Sequence, residues 1–241
     1  GFSSLYLDNL LFFLETFVVL IWAILFCIKT GMSKNNQKTI KNTINLSGVG
    51  LHNGIKANLT VKTASENFGI KFCRIDLDKE NLIEANYQNV EEPILCTKIK
   101  NKNGTTVSTV EHLMAAFFGE GIDNALVEID APEVPILDGS ASEFVEAIRS
   151  AGIKEQSESR KFIKTLKKVE VQEGEKYMSI EPLDNDLIVD FEIVYSNPLI
   201  RTRRKEFRLS DGDLTNIYNS RTFCLYEDID FIKSQGLAKG G

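Results

Sequence analysis

The run Ser108-Thr-Val-Glu-His-Leu-Met-Ala-Ala116 leaves the chain few options. Val110, Leu113, Met114, Phe117 and Phe118 recur at helical spacing, which predicts a helix over residues 109–118 with one apolar face. Ser108, followed three residues later by Glu111, has the form of a capping box, and Gly119 ends the run. At about 100° per residue, Glu111, His112, Ala115 and Ala116 fall on the opposite side. A carboxylate and an imidazole above two methyl groups would let a ligand or a second domain approach closely. Local chemistry leaves two readings open for each polar residue. Glu111 is a capping residue or an acid–base group. A lone helical His is structural more often than metal-binding. Zinc-protease spacings need a second His nearby, and the only other one is His52.

The flanking sequence is sheet-like. Residues 43–46 and 55–61 read as strands joined through a Gly-rich turn at 48–54, where His52 sits as a turn residue. Residues 69–74 read as another strand, and residues 92–99 and 105–107 flank an Asn103-Gly104 hairpin signal. After the helix comes Ala125-Leu-Val-Glu-Ile129, a strand, and then Pro132 and Pro135 force an extended segment. Asp138-Gly139 turns the chain. Ser140 and Glu143 form a second capping-box pattern, opening an amphipathic helix with Phe144, Val145 and Ile148 that Gly152 closes.

Residues 154–161 are charged and contain serine, so they read as a linker. Beyond it, a strand from Phe162 to Val171, a turn at Glu173-Gly174, a return strand at 176–180 and a long strand at 187–195 precede a short polar helix over 211–218. This half repeats the first in kind. The expected fold is α+β, with two similar domains, each a β-sheet layer packed on helices: 38–153 as domain one and 162–241 as domain two. With 43% apolar and 26% charged residues, 241 residues suffice for two modest domains. A net charge of −6 and a pI near 5.2 argue against nonspecific nucleic-acid binding. Cys27, Cys73, Cys96 and Cys224 have no metal-ligand spacing, which fits reduced thiols in a cytosolic protein.

Several words of the sequence, in one order, resemble the UDP-3-O-acyl-N-acetylglucosamine deacetylases: Ser47-Gly-Val-Gly-Leu-His-Asn-Gly54, Thr109-Val-Glu-His-Leu113, Gly121-Ile-Asp-Asn124, Ala131-Pro-Glu-Val-Pro-Ile136, Asp138-Gly-Ser140 and Ser220-Arg-Thr-Phe223. The resemblance runs from about Thr39 to Gly241. It implies a zinc amidase, with Zn2+ as cofactor, that commits bacteria to lipid A synthesis, and an active site between two α+β domains. It also implies that His112 is a zinc ligand and Glu111 the general base; adjacent helical positions let both face one water. Thr222 matches the threonine whose hydroxyl stabilises the oxyanion. Lys176 matches a lysine near the substrate diphosphate, and Tyr195 an aromatic that stacks on uracil. Phe223 and Asp228 match positions contacting the glucosamine and nucleotide parts. Leu95 and Cys96 match an insert that helps form the acyl-chain passage. By the same resemblance the His52 loop lies near the site mouth, without a ligand role. The two further zinc ligands and the general acid of the family have no counterpart in this sequence. The expectation is therefore a C-terminal truncation, with domain two incomplete and the chain as given inactive.

Residues 10–28 are almost uninterrupted apolar sequence, broken by Glu15 and Thr16, and long enough to span a bilayer. Lys29, Lys34, Lys38 and Lys41 follow, which would leave the rest of the chain in the cytoplasm. No basic n-region precedes the run and no Ala-x-Ala site follows it, so a signal peptide is a poor match. Residues 1–31 are an inner-membrane anchor or translated upstream sequence before a start at Met32. The second is favoured, because proteins resembling this chain are soluble and begin near that point. The functional expectation is hydrolysis of the acetamide of UDP-3-O-acyl-N-acetylglucosamine. The competing classes are an inactive nucleotide-sugar-binding protein and a membrane-anchored scaffold.

Overall fold

The computed structural model describes residues 35–91, 95–162, 164–184 and 186–241. The apolar run at 10–28 lies outside them. Among the described residues no helix is long and apolar enough to cross a membrane.

The first half is built on a five-stranded sheet of β2 (Ile44–Val49), β3 (Lys56–Thr63), β4 (Ile70–Arg74), β5 (Leu82–Glu84) and β8 (Ala125–Ile129), in the order β2-β3-β8-β4-β5. Only β4 and β8 run parallel. Alternation sets its buried face: Ala57, Leu59 and Val61 on β3, Ala125, Val127 and Ile129 on β8, and Ile70 and Phe72 on β4 are all buried. Two helices contribute to the same core, α1 (Glu111–Glu120) and α2 (Ser142–Ala151). β6 (Lys98–Lys100) and β7 (Thr106–Ser108) make the expected Asn103-Gly104 hairpin, with Gly104 at a φ of 90°. In the second half, β10 (Val169–Glu173) pairs with β11 (Lys176–Ile180), and β12 (Ile188–Val194) with β13 (Thr202–Arg208). Two short helices follow, α3 (Thr215–Tyr218) and α4 (Ile229–Ser234). The fold is mixed α and β, as expected.

Several sequence expectations are corrected. Neither capping box forms. Ser108 ends β7, its hydroxyl donates to the carbonyl of Pro132, and Val110 precedes α1 without a side-chain cap. At the second helix the Ser140 hydroxyl accepts from the Ser142 amide at 3.1 Å and donates to Asp138 at 2.7 Å, while Glu143 is exposed. Residues 154–161 are no linker: β9 (Ile153–Ser159) pairs antiparallel with β1 (Asn36–Ile40) and joins the first half. Glu111 and Ala116 do not lie on an open face but are buried. Helix α1 is covered on two sides, with Leu113, Met114 and Phe117 in the main core and Phe118 against a second cluster around Leu187 and Val189. A helix apolar on most of its circumference is a buried one, and α1 joins the two halves.

Gly119 does not end α1; the helix continues to Glu120, and Gly121 caps it in the left-handed conformation at φ 74°. Gly119 is required by packing instead. A Cβ there would stand 2.6 Å from Cζ of Tyr218, which is buried in the main core and donates its hydroxyl to Glu120 at 3.1 Å. A helical Gly→Ala change ordinarily gains about 1 kcal/mol. Here Gly119→Ala is expected to lose roughly 1–3 kcal/mol through overpacking, read as a lower midpoint in urea with an unchanged slope. A higher midpoint would mean that the Tyr218 ring moves aside freely.

Candidate active site

Glu111 opens α1, with 8% of its surface exposed. Its Oε2 accepts the backbone N–H of Thr97 at 3.1 Å. Burial pushes its carboxyl up to about 7, against the hydrogen bonds to its own amide and to Thr97. A carboxyl poised there exchanges a proton with water near neutral pH.

His112 is half-buried on the next position of the helix. Burial pushes its imidazole down to about 4, while the negative charge of Asp138 opposes the shift. The ring is therefore neutral at pH 7, the form that ligates metal. Asp138 itself is held below the usual carboxylate range, first by the Ser140 hydroxyl, with further contributions from the Ser140 amide and Arg221. A carboxylate near a ligating imidazole is the usual orienting partner of such a ring.

Thr222 arrives from the second half. Its amide donates to the Gly139 carbonyl at 2.9 Å, which places it against the same Asp138-Gly-Ser140 loop that faces His112. Arg221 reinforces the junction with an ion pair to Asp138 at 3.2 Å. Residues from both halves thus meet at one loop.

A second group converges beside it. Tyr195, just after β12, holds its ring 5.9 Å from that of Phe223, tilted by 47°. Tyr195 also packs against the cluster of Leu95 and Ile232, as does Leu237. Burial, and the charge of Asp228 after it, raise the Tyr195 phenol. Asp228 is raised by burial and by Glu227. Leu95 is buried at a left-handed φ of 58° in an irregular segment rather than in a strand. Cys96 beside it is buried too; desolvation first, and the charge of Glu111 next, push its thiol up to about 12. It stays a protonated, unreactive thiol. Leu95 and Cys96 therefore connect the aromatic group to the Glu111 pocket. Lys176 opens β11, whereas Ile180, four residues on, is the part of that strand packed in the cluster with Phe118.

His52 takes the turn position expected of it. Its amide donates to Glu133 at 2.8 Å, and its Nε2 lies 3.2 Å from the Leu95 carbonyl. The amides of Lys239 and Gly240 donate to the carbonyls of His52 and Leu51, so the far end of the chain closes on this turn. Sequence reasoning gave no role to Thr97, Thr109, Glu133 or Asp138. Glu133, a charge between two prolines in an apolar run, was the one with a readable signal.

His112 offers a neutral imidazole with no hydrogen bond to another described residue, and Glu111 lies beside it. Among the described residues no group of three or more His, Cys, Asp and Glu side chains converges. The chemistry fits one ligand with an adjacent base, where a catalytic zinc takes three protein ligands and a water.

A family model described as UDP-3-O-acyl N-acetylglycosamine deacetylase matches residues 37–241. Curated relatives named UDP-3-O-acyl-N-acetylglucosamine deacetylase include that of Pasteurella multocida, strain Pm70, 42% identical over 208 residues, covering 85% of this chain and 68% of the relative. Those of Shewanella halifaxensis and Aliivibrio fischeri are 42% and 40% identical over the same shares. The matched span contains Glu111, His112, Thr222 and the aromatic group, and its extent settles the ancestry: the chain belongs to the UDP-3-O-acyl-N-acetylglucosamine deacetylase family.

Proposed function

We propose that Glu111, His112 and Thr222 form the hydrolytic centre of a zinc-dependent deacetylase that releases acetate from UDP-3-O-acyl-N-acetylglucosamine, the committed step of lipid A synthesis. The observation that carries this reading is the pair on α1: a buried carboxyl held near neutrality beside an imidazole kept uncharged. A protein that only bound nucleotide sugars would need neither.

Bound zinc would activate a water at neutral pH and polarise the acetamide oxygen. His112 is the residue here that would hold it. Glu111 takes the proton of the attacking water as oxygen bonds to the acetamide carbon. The Thr222 hydroxyl donates to the oxyanion that forms. When the C–N bond breaks, the amine must gain a proton, and protonated Glu111 is the described group in place to return one. Leu95 and Cys96 line the acyl side, and Tyr195, Phe223 and Asp228 take the uridine and sugar. Lys176 is assigned to the diphosphate. The two-domain division fits the way α1 and its Asp138–Ser140 loop meet the 220–228 segment, with β9 added to the first domain. The reaction is assigned to the cytoplasm; any membrane contact rests on residues 10–28.

The test is acetate release from the UDP-linked substrate by the zinc-loaded protein carried C-terminally to the full length of its relatives, lost on chelation and restored by metal. Binding of substrate without acetate release at any metal loading would sink the reading. The aromatic group carries a separate expectation. Tyr195→Leu keeps the contact with Leu95 and Ile232 but loses the ring, and should raise KM about 3–10-fold, the worth of one aromatic pair, with a smaller change in kcat. An unchanged KM would remove Tyr195 from the uridine site.

A further inference from the structure

Glu133 is a carboxylate with 1% of its surface exposed, and the reaction described above does not use it. No ion pair meets it among the described residues; three donors do. Its Oε1 accepts the amide of His52 and the hydroxyl of Thr109, each at 2.8 Å, and its Oε2 accepts the amide of Asn53 at 2.8 Å. A Cβ on Gly50 would stand 2.7 Å from Oε2, so the turn is closed down on the carboxylate. Burying a charge without a counter-ion is costly unless its lone pairs are filled, and here they are filled by groups from two separate segments.

Those segments matter to the site. Thr109 lies two residues before Glu111 and holds a φ of 56°, a left-handed conformation that a β-branched residue adopts only under constraint. Backbone bonds fasten the same place, since Ser108 donates to Pro132 and accepts from Val134 at 3.0 Å each. On the other side, the ring of His52 reaches the carbonyl of Leu95, in the wall of the aromatic group. One carboxylate thus ties the entry to α1 to the turn that supports Leu95.

We propose that Glu133 is a positioning residue for the hydrolysis. It holds Thr109 in its left-handed conformation against the 51–53 turn, and so fixes where Glu111 stands relative to the substrate wall. The inference rests on the reading of Glu111 as the proton acceptor.

The test uses the same metal-loaded protein, carried to the full length of its relatives, with the UDP-linked substrate. Thr109→Val removes the hydroxyl but keeps the branched shape, and should lower kcat about 10-fold or more with KM within about twofold, the scale of a small misplacement of a catalytic group. Thr109→Ser, which keeps the hydroxyl, should recover most of that loss. Glu133→Gln sets an amide donor against a backbone donor and should cost more, about 100-fold; if it fails to fold, the Thr109 pair still decides. A purely structural role would lower kcat by the same factor in any background. Positioning through Glu111 instead predicts that Thr109→Val costs nothing further once Glu111→Gln is present. Wild-type kcat in Thr109→Val, or equal losses in both backgrounds, overturns the proposal while leaving Glu111 its role. Full activity in Glu111→Gln alone overturns the reading of Glu111, and this proposal with it.

Discussion

Glu111→Gln is expected to lower turnover of the full-length protein about 10²–10⁴-fold, the usual loss of a general base, and at the same time to make the metal-free protein harder to unfold above pH 7. The two effects have one cause. Burial places this carboxyl in a site that prefers it protonated, at about 7 in the fold against the ordinary 4.5. A folded-state pKa above the unfolded one means that the fold binds the proton more tightly. The stability it brings is complete below pH 4.5 and is lost as pH rises through about 7. At pH 8 the ionised carboxylate therefore weakens the fold by roughly 3 kcal/mol, and Gln has no charge to bury. Its carbonyl can still accept the Thr97 amide. The two proteins should melt alike near pH 4 and diverge as pH rises, with the variant higher. Because Ser108 and Glu111 form no capping box, no opposing loss from the helix start is expected. Metal content should stay near wild type, since Glu111 is not assigned as a ligand. Melting curves that run parallel across this range would show that Glu111 is better solvated than its position indicates.

In the full-length protein His112→Ala is expected to abolish bound metal and activity together. Groups that merely orient a ligand are typically worth 10–100-fold in metal affinity, so removing the ligand itself should cost more than about 100-fold. Zinc measured by atomic absorption after dialysis separates this variant from Glu111→Gln, which keeps its metal and loses only turnover. Retained stoichiometric zinc in His112→Ala would overturn the ligand assignment. The pH dependence of the metal-free protein has its own sign. The imidazole sits at about 4 in the fold against 6.5, so its contribution is present above pH 6.5 and is lost as pH falls through about 4. His112→Ala should blunt that acid limb.

Much of the first half could be read from residue periodicity. The alternation in β3 and β8 and the spacing of Phe144, Val145 and Ile148 in α2 need no partner to be recognised, because each element buries one face and leaves the other wet. The same reasoning failed at β9 and missed β13. Both are almost entirely exposed, held by backbone pairing to β1 and β12, and a strand with no buried face carries no alternation. Their charges therefore read as linker or as nothing.

The order of quoted words was enough to place the chain in its family and to single out Glu111 and His112. The surroundings of those residues were decided by contacts far away in sequence. Ser-x-x-Glu describes a cap and a buried acid equally well, since the local backbone is compatible with both. The choice fell to the Thr97 amide, presented by the chain just before β6, and to the covering of α1 from two sides, which took Glu111 out of water. In the same way Leu95, Tyr195, Phe223 and Asp228 are single residues of no particular pattern. Only the closing of the second half onto the Asp138–Ser140 loop brings them together, because their meeting is a property of chain topology and carries no local period or propensity to be read.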